Sequence, residues 1–295
     1  MQHRNIAIVW DFDGTLTPVD STSKVVEHFL GRGFEKKFWN SIKSINGSTS
    51  NFDWERILAS DAPTWMYVLS VIAFQHGEPL TSSFFKRIRT LVQLYPGSVN
   101  LLRTISKLSH RKDFKSAKIQ IHHFIVSAGL KEYVEQIVPQ ALFSGIWGCR
   151  YKGIYRDTPN EVESVPVFCM DETMKTRALF EISKGVFAGN VGAVNRRVTR
   201  ERLWCPFDNV VYIGDGPTDV PALSLVRDRG GYGIVVYNHE KKLTDIKSRL
   251  KDMSAESRCD LIVPADFTLG SELHKALKAQ CERILMKYQA EDFSK

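Results

Sequence analysis

Two pairs of aspartates carry the strongest chemical signal in this sequence. Asp11 and Asp13 directly follow a short apolar run, and Asp215 and Asp219 follow another one two hundred residues later along the chain. Either pair alone is typical of a turn whose acids cap a helix. Two acidic clusters that each follow a predicted strand favour a metal site instead, because converging carboxylates repel one another unless a cation lies between them.

The cation that these acids indicate is magnesium. Mg²⁺ prefers oxygen ligands in near-octahedral geometry, and it retains several water ligands. We predict that Asp11, Asp13 and Asp215 bind the ion, and that Asp219 lies just outside its ligand shell.

Groups that could hold a phosphate are spread over three other places in the chain. Thr15 and Ser127 offer hydroxyls, and the small residues Ala128 and Gly129 leave backbone amides open to an anion. Lys175 offers a positive charge in a predicted helix. Each of them also has an ordinary interpretation, since a lone serine after a strand is often a helix cap and a lone lysine is usually solvated.

Taken together, these groups satisfy the needs of phosphoryl transfer. The reaction uses a carboxylate nucleophile, a second acid to move a proton, a divalent cation, and fixed donors around the phosphoryl oxygens. Uncatalysed hydrolysis of phosphate monoesters is so slow that enhancements of up to ~10²¹ are known. Because one group cannot supply such a factor, a site with several parts is expected.

The elements that position these residues alternate between strands and helices. Apolar runs at 6–10, 119–126, 210–213 and 261–263 predict strands, and one or two more are predicted within 142–155. This alternation predicts an α/β fold with a doubly wound, Rossmann-like parallel sheet. The site residues would then meet at the carboxyl ends of the strands. Segments 110–116 and 159–166 are predicted to be loops, the first basic and the second acidic.

Residues 18–94 have a different character from the rest of the chain. Apolar residues recur there at helical spacing without a strand signal, so this stretch predicts an all-helical domain inserted after the first strand. Residues 1–17 and 95–295 would form the α/β core. We expect the helical cap to set specificity, through a region that contains Phe29, Trp39, Trp54 and Trp65.

The motifs resemble those of the haloacid dehalogenase superfamily, in its phosphatase branch. Residues 11–15 (DFDGT) match the first motif of the family, and 214–219 (GDGPTD) match the fourth. Ser127 after an apolar strand is similar to the second motif, and Lys175 to the third. The first and fourth motifs are highly specific, and the resemblance covers residues 5 to 235.

The resemblance implies a role for each residue. Asp11 would attack phosphorus and form an aspartyl-phosphate. Asp13 would protonate the leaving oxygen and then activate water, while its backbone carbonyl binds Mg²⁺. Asp215 would also ligate the metal, and Asp219 would orient a metal-bound water or Lys175. Thr15, Ser127 and Lys175 would hold the phosphate, and the helical segment would close over the site as a cap.

Within the superfamily, the chain looks most like phosphoserine-phosphatase-like members. Asp20 stands where those enzymes carry a glutamate that recognises the amino group of the substrate, so Asp20 is a candidate for substrate recognition. Segments 157–170 and 189–205 look like insertions. They mark a divergent member whose substrate need not be phosphoserine.

The composition indicates a cytoplasmic protein. The five cysteines are far apart and form no CxxC pair, so reduced thiols are expected rather than disulfides or a zinc site. No stretch reaches the roughly 18 apolar residues of a membrane span, and we expect no signal peptide. The net charge of +7 is spread along the chain, so nucleic acid is not an expected partner.

Three other functions are compatible with parts of this pattern. A phosphomutase or phosphotransferase of the same superfamily would use the same residues. A protein that binds a phosphorylated ligand without turnover would not need the intact set of Asp11, Asp13, Lys175 and Asp215. A dehalogenase would not need a metal site. We therefore predict a phosphatase that acts on a small phosphorylated metabolite.

Overall fold

The chain forms one seven-stranded sheet in the part that the structure describes. The structure is a computed structural model that describes residues 4–46, 61–155, 162–188, 193–238 and 258–294. Its strands are β1 (Arg4–Trp10), β2 (Ile119–Leu130), β3 (Phe143–Tyr155), β4 (Val162–Phe168), β5 (Val210–Gly214), β6 (Tyr232–Tyr237) and β7 (Leu261–Pro264). They are arranged in the order β4-β3-β2-β1-β5-β6-β7.

The order of the strands makes this a doubly wound sheet, as predicted. From β1 the chain adds β2 and β3 on one side and later returns to the other side for β5, β6 and β7. All of these strands are parallel, and β4 pairs antiparallel with β3 at one edge. The point at which the winding reverses lies beside β1, where ligands bind in open α/β sheets.

Strand β1 forms the centre of the core. Its residues from Asn5 to Trp10 are all buried, which explains why the run is continuously apolar rather than alternating. Trp10 pairs with Ile125 of β2 and with Ile213 of β5. This register places the residue after β1, Asp11, one position beyond the level of Ile125 in β2 and level with the end of β5.

In the described part of residues 18–94, the regular elements are all helices, as the apolar spacing predicted. The helices are α1 (Ser21–Leu30), α2 (Glu35–Asn46), α3 (Asp61–Gln75) and α4 (Ser82–Ile88), with a 3-10 turn at Arg89–Leu91. Trp54 lies outside the described residues. The division of the chain into a core domain and a cap domain stays a prediction.

Helices also connect and cover the strands of the sheet. They are α5 (Ser98–Ser106), α6 (Lys112–Ser116), α7 (Lys131–Ile137), α8 (Glu172–Lys184), α9 (Val220–Asp228) and α10 (Glu272–Phe293). Further 3-10 turns lie at Lys107–His110, Gln140–Leu142, Val186–Ala188, Ala193–Asn195, Arg200–Arg202, Phe207–Asn209 and Pro217–Asp219. None of the described helices is long and apolar enough to cross a membrane. All five cysteines have free thiols.

The structure differs from the predicted elements in three places. The basic loop at 110–116 contains the short helix α6, which forms around the buried side chain of Phe114. The prediction of an acidic loop at 159–166 was wrong from residue 162 onward, where β4 begins. This strand tolerates Pro166 because it lies at the sheet edge, where a missing N–H breaks no ladder. Strand β6 was not predicted, although its sequence YGIVVY is rich in residues that favour strands.

The two segments interpreted as insertions pack against the fold in different ways. In the first, β4 forms a hairpin with β3, and this hairpin contacts the helical segment. Ser164 Oγ accepts a hydrogen bond from Leu80 N at 2.8 Å, and Tyr151 Oη donates one to Met66 O at 2.6 Å. In the described part of the second, Trp204 O accepts a hydrogen bond from the Asn5 side chain at 2.8 Å, which ties the segment to β1.

Candidate active site

Asp11 lies where β1 meets the reversal of the sheet. Its side chain is 6% exposed, and its backbone N–H donates to Ile213 O of β5 at 2.8 Å. The turn that follows is closed by the amides of Thr15, Leu16 and Thr17, which all donate to Phe12 O. The DFDGT sequence therefore forms a tight loop that directs Asp11 into the cleft at the carboxyl edge of the sheet.

Three carboxylates meet at this edge. Asp11, Asp215 and Asp219 each offer an oxygen, and these oxygens lie within 4.8 Å of one another. Gly14 makes the approach possible, because it has a φ of 79° and a Cβ placed on it would lie 2.5 Å from Cγ of Asp215. An all-oxygen donor set of this kind fits a hard divalent cation.

Lys175 is the buried cation beside these carboxylates. It lies in the first turns of α8, where Asp171 caps the helix by accepting from Met174 N at 2.7 Å. The Lys175 side chain is 1% exposed, and Nζ donates to Asp11 Oδ1 at 2.9 Å and to Asp219 Oδ1 at 2.6 Å. Burial opposes its charge, but the two carboxylates outweigh burial and raise the pKa of Lys175.

Asp219 has a full set of hydrogen-bond donors. Its Oδ1 accepts from Lys175 Nζ and from the hydroxyl of Tyr212 at 2.7 Å. Its Oδ2 accepts from the backbone amides of Asp215 and Gly216 at 3.1 and 3.2 Å. A carboxylate held by four donors is a fixed counter-ion, so Asp219 is positioned to anchor Lys175. The roles predicted for Asp219 stay predictions.

Tyr212 is a residue that the sequence reasoning missed. It lies on β5, is completely buried, and donates its hydroxyl to Asp219. The sequence signal that could have identified it is a tyrosine within a predicted apolar strand, because a buried phenol needs a hydrogen-bond partner. The sequence could not identify Asp219 as that partner.

The nucleophile candidate, Asp11, lies in a strongly negative environment. Burial and then the charge of Asp219 raise the pKa of Asp11 to about 8, although Lys175 acts in the opposite direction. Without a further cation, burial and the neighbouring charge therefore favour the protonated form of Asp11. A divalent ion bound between Asp11 and Asp215 would favour the anion, and this requirement is a second reason to expect a metal here.

Asp13 is held by Ser21, which the sequence reasoning also missed. The Ser21 backbone N–H donates to Asp13 Oδ1 at 2.9 Å, and its hydroxyl donates to Oδ2 at 3.0 Å. Burial, followed by the charges of Asp20 and Asp11, raises the pKa of Asp13 well above its usual value. A carboxyl group whose neutral form is favoured in this way suits a general acid.

The predicted phosphate-binding residues lie on the same rim. Ser127 is completely buried near the end of β2, and the Thr15 hydroxyl approaches Asp11 Oδ2 at 3.5 Å. The Gly129 N–H donates to Ser127 Oγ at 2.9 Å. That the amides of Gly129 and Ala128 bind phosphate stays a prediction. A Cβ on Gly129 would lie 2.8 Å from Asp13 Oδ2, which explains the glycine at this position.

Asp20 lies at the exposed mouth of the site. It caps α1 by accepting from Ser23 N at 2.6 Å. The cleft beyond it has a volume of about 570 Å³ and is lined by the rim residues on one side. On the other side, it is lined by side chains of the helical segment, including Trp39 and Trp65.

Comparisons with known proteins place the fold. The sequence matches no protein-family model. It is 24% identical over 284 residues to an uncharacterised protein of Borreliella burgdorferi, a match that covers 91% of this chain and 94% of the relative.

Several solved structures are similar to this chain in fold. Cytosolic 5′-nucleotidase IIIB bound to cytidine matches with a TM-score of 0.51 at 15% identity, covering 97% of this chain and 87% of that one. A phospho-aspartyl intermediate analogue of phosphoserine phosphatase matches with a TM-score of 0.49 at 15% identity, covering 94% of this chain and 99% of that one. A haloacid dehalogenase family hydrolase from Salmonella enterica serovar Typhi matches with a TM-score of 0.48 at 14% identity. The match covers 84% of this chain and 66% of that one.

Proposed function

We propose that this chain, which has a fold like that of haloacid dehalogenase superfamily hydrolases, is a magnesium-dependent phosphatase. It hydrolyses the phosphate monoester of a small metabolite through an aspartyl-phosphate on Asp11. The observation that supports this most directly is the contact of the buried Asp11 carboxylate with Lys175 Nζ at 2.9 Å. Asp215 lies beside Asp11 in the carboxylate cluster, and Asp13 follows Asp11 in the same motif and is held by Ser21.

In the first half of the reaction, an oxygen of Asp11 attacks phosphorus and the ester oxygen leaves. Asp13 gives its proton to that leaving oxygen, so the alcohol departs neutral. Ser21 holds both oxygens of Asp13, which limits the rotation of the carboxyl group. Thr15, Ser127 and Lys175 would donate to the equatorial oxygens of the phosphoryl group, where charge is spread in the transition state.

In the second half, water attacks the phosphorus of the acyl phosphate and Asp11 is released. Asp13, now an anion, accepts the proton of that water, and the product is inorganic phosphate. Asp11, Asp215 and the backbone carbonyl of Asp13 would hold Mg²⁺. When bound, Mg²⁺ neutralises the repulsion between the carboxylates and the phosphate.

The proposal is tested by the release of phosphate from an aryl phosphate with and without Mg²⁺. We expect release by the wild type, no release after exhaustive chelation, and none by Asp11→Asn. The matched control is Asp113→Asn, because Asp113 lies in a surface ion pair with Arg111 and its replacement should leave activity unchanged. Full activity after chelation, or in Asp11→Asn, would overturn the proposal.

The intermediate is tested by trapping. Borohydride reduction during turnover, followed by peptide mapping, should modify Asp11 and no other carboxylate. Phosphate that moved between positions of a sugar without appearing free would identify a mutase. Binding of phosphate with no modification and no release would identify a ligand-binding protein.

A further inference from the structure

We infer that the organic part of the substrate carries an ammonium group and no second anionic group. This inference rests on the proposed phosphatase function and specifies its substrate class. It starts from the part of the cleft lining that consists of two tryptophans and several carboxylates.

The first observation is an indole corner, formed by Trp39 of α2 and Trp65 of α3 in the cleft wall. The two rings meet edge to face, with centroids 6.4 Å apart and an interplanar angle of 68°. Trp39 Nε1 donates to Ser23 Oγ at 2.8 Å, so the orientation of this ring is fixed. Trp65 is 5% exposed and is held by the packing around it.

An indole corner of this kind suits a cation. The face of a tryptophan ring is negative, and it attracts an ammonium group more strongly than the other aromatic side chains do. A neutral apolar group would also pack against the rings, so the corner alone does not decide the charge of the ligand.

The second observation is the charge of the surrounding wall. Asp61 at the start of α3 and Asp171 and Glu172 at the start of α8 also line the cleft. Among the described lining residues, Lys175 is the only basic one, and its ammonium already contacts Asp11 and Asp219. The cleft that contains the indole corner is thus also lined by carboxylates from α3 and α8.

This charge distribution selects among phosphate esters. The phosphoryl group is directed to the rim, where the proposed metal ion and Lys175 offset its charge. A second phosphate or a carboxylate on the same substrate would face Asp61 and Glu172 without a described cation to offset it. An ammonium group would be attracted both by these carboxylates and by the two indoles.

The substrate expected for this chain therefore differs from phosphoserine. Phosphoserine carries a carboxylate in addition to its amino group, and that carboxylate would meet the acidic wall. An amino alcohol or choline ester of phosphate has the cation alone. We expect esters of this second type to be preferred.

The experiment compares two esters of the same shape. Phosphocholine and 3,3-dimethylbutyl phosphate differ in one atom, nitrogen in the first and carbon in the second, and hence in one positive charge. We expect kcat/KM for phosphocholine to exceed that for the neutral ester by roughly tenfold or more. Phosphoglycolate, with its carboxylate, should be the poorest of the three.

Variants then assign the preference to residues. Trp39→Leu should lower the phosphocholine-to-neutral ratio roughly twofold to thirtyfold, the range that corresponds to cation–π energies of about 0.5–2 kcal/mol. Trp39→Phe should lower it less, and Glu172→Gln should lower it as well. Tyr67→Leu is the matched control, since Tyr67 lies on α3 but is 64% exposed and outside the cleft. Because each ratio is taken within one variant, partial loss of folded protein cancels.

The outcomes separate the two proposals. Equal rates for the charged and neutral esters, with normal hydrolysis of an aryl phosphate, would overturn the substrate class and leave the phosphatase intact. A preference for phosphoglycolate would overturn it too. Failure to hydrolyse any of these esters, including the aryl phosphate, would count against the phosphatase function itself.

Discussion

The rim of the sheet and the helical segment form opposite walls of one cleft, but they are held in different ways. On the rim, Lys175 and Asp13 each make two hydrogen bonds, and Asp219 alone accepts from two side chains and two amides. On the helical side, Trp39 is held by one hydrogen bond to Ser23 and by ring packing. The rim is therefore built for fixed geometry, and the helical wall for shape and charge.

Under the proposed function, this difference predicts how chemistry and specificity are divided. Groups that stabilise a transition state must not move when charge develops, which requires multiple fixed partners. Groups that select a leaving group need only present the right surface. Changes on the rim should therefore affect all substrates equally, whereas changes on the helical wall should reorder them.

The largest effect is expected at Asp13. Asp13→Asn keeps the backbone carbonyl but cannot transfer a proton, and a general acid–base group is typically worth about 10²–10⁴-fold. We expect turnover of an aryl phosphate and of metabolite esters to fall by similar factors, measured by phosphate release. Retained binding of Mg²⁺, measured by calorimetry, is the control. Unchanged turnover would show that the proton comes from elsewhere.

The next effect is expected at Gly14. Gly14→Ala would force Asp215 away, and a displacement of about 1 Å in a catalytic group can cost roughly 10²-fold. Gly31→Ala is the matched control, because Gly31 also has a positive φ, 90°, but a Cβ there meets nothing within 4 Å. Both variants should lose stability, and only Gly14→Ala should lose affinity for Mg²⁺. Equal affinities would contradict the crowding argument.

A smaller effect is expected at Tyr212. Tyr212→Phe removes one of the four donors to Asp219, and a hydrogen bond to a charged group contributes about 1.5–3 kcal/mol. We expect kcat to fall by about tenfold with KM nearly unchanged, because Lys175 loses part of its anchor. Tyr288→Phe provides the control, since Tyr288 is hydrogen-bonded to Asn209 away from the site. A loss of kcat as large in Tyr288→Phe would indicate a general loss of structure.

The smallest effect is expected where the helical segment meets the hairpin. Tyr151→Phe removes the hydrogen bond to Met66 O, worth about 1 kcal/mol of unfolding free energy. Denaturant unfolding should detect the loss, whereas hydrolysis of a small aryl phosphate should change by less than about twofold. Tyr67→Phe, at an exposed position of α3, should change neither. A large loss of aryl phosphatase activity in Tyr151→Phe would mean that the helical wall also positions the chemistry.

The comparison also separates what could be predicted from what could not. The strand at 4–10 and the acids after it were predictable, because a buried parallel strand is apolar throughout and its end is marked by polar residues. The helices after residue 20 followed from apolar spacing for the same local reason. The β3–β4 hairpin was missed in part, since Pro166 and the acids around it resemble a loop unless the strand is known to lie at an edge.

Sequence alone determined the types of reactive group and their order along the chain, because each motif is contiguous and its residues act within a few positions of one another. The tertiary structure decided which groups meet. Lys175 contacts Asp11 across 164 positions, and Ser21 and Tyr212 were recruited to hold Asp13 and Asp219. The contact between Lys175 and Asp11 depends on how α8 packs beside the end of β1, which is a long-range property that local pattern does not encode. The contacts of Ser21 and Tyr212 span only 8 and 7 positions, but the packing of the core decides which of these side chains are buried together.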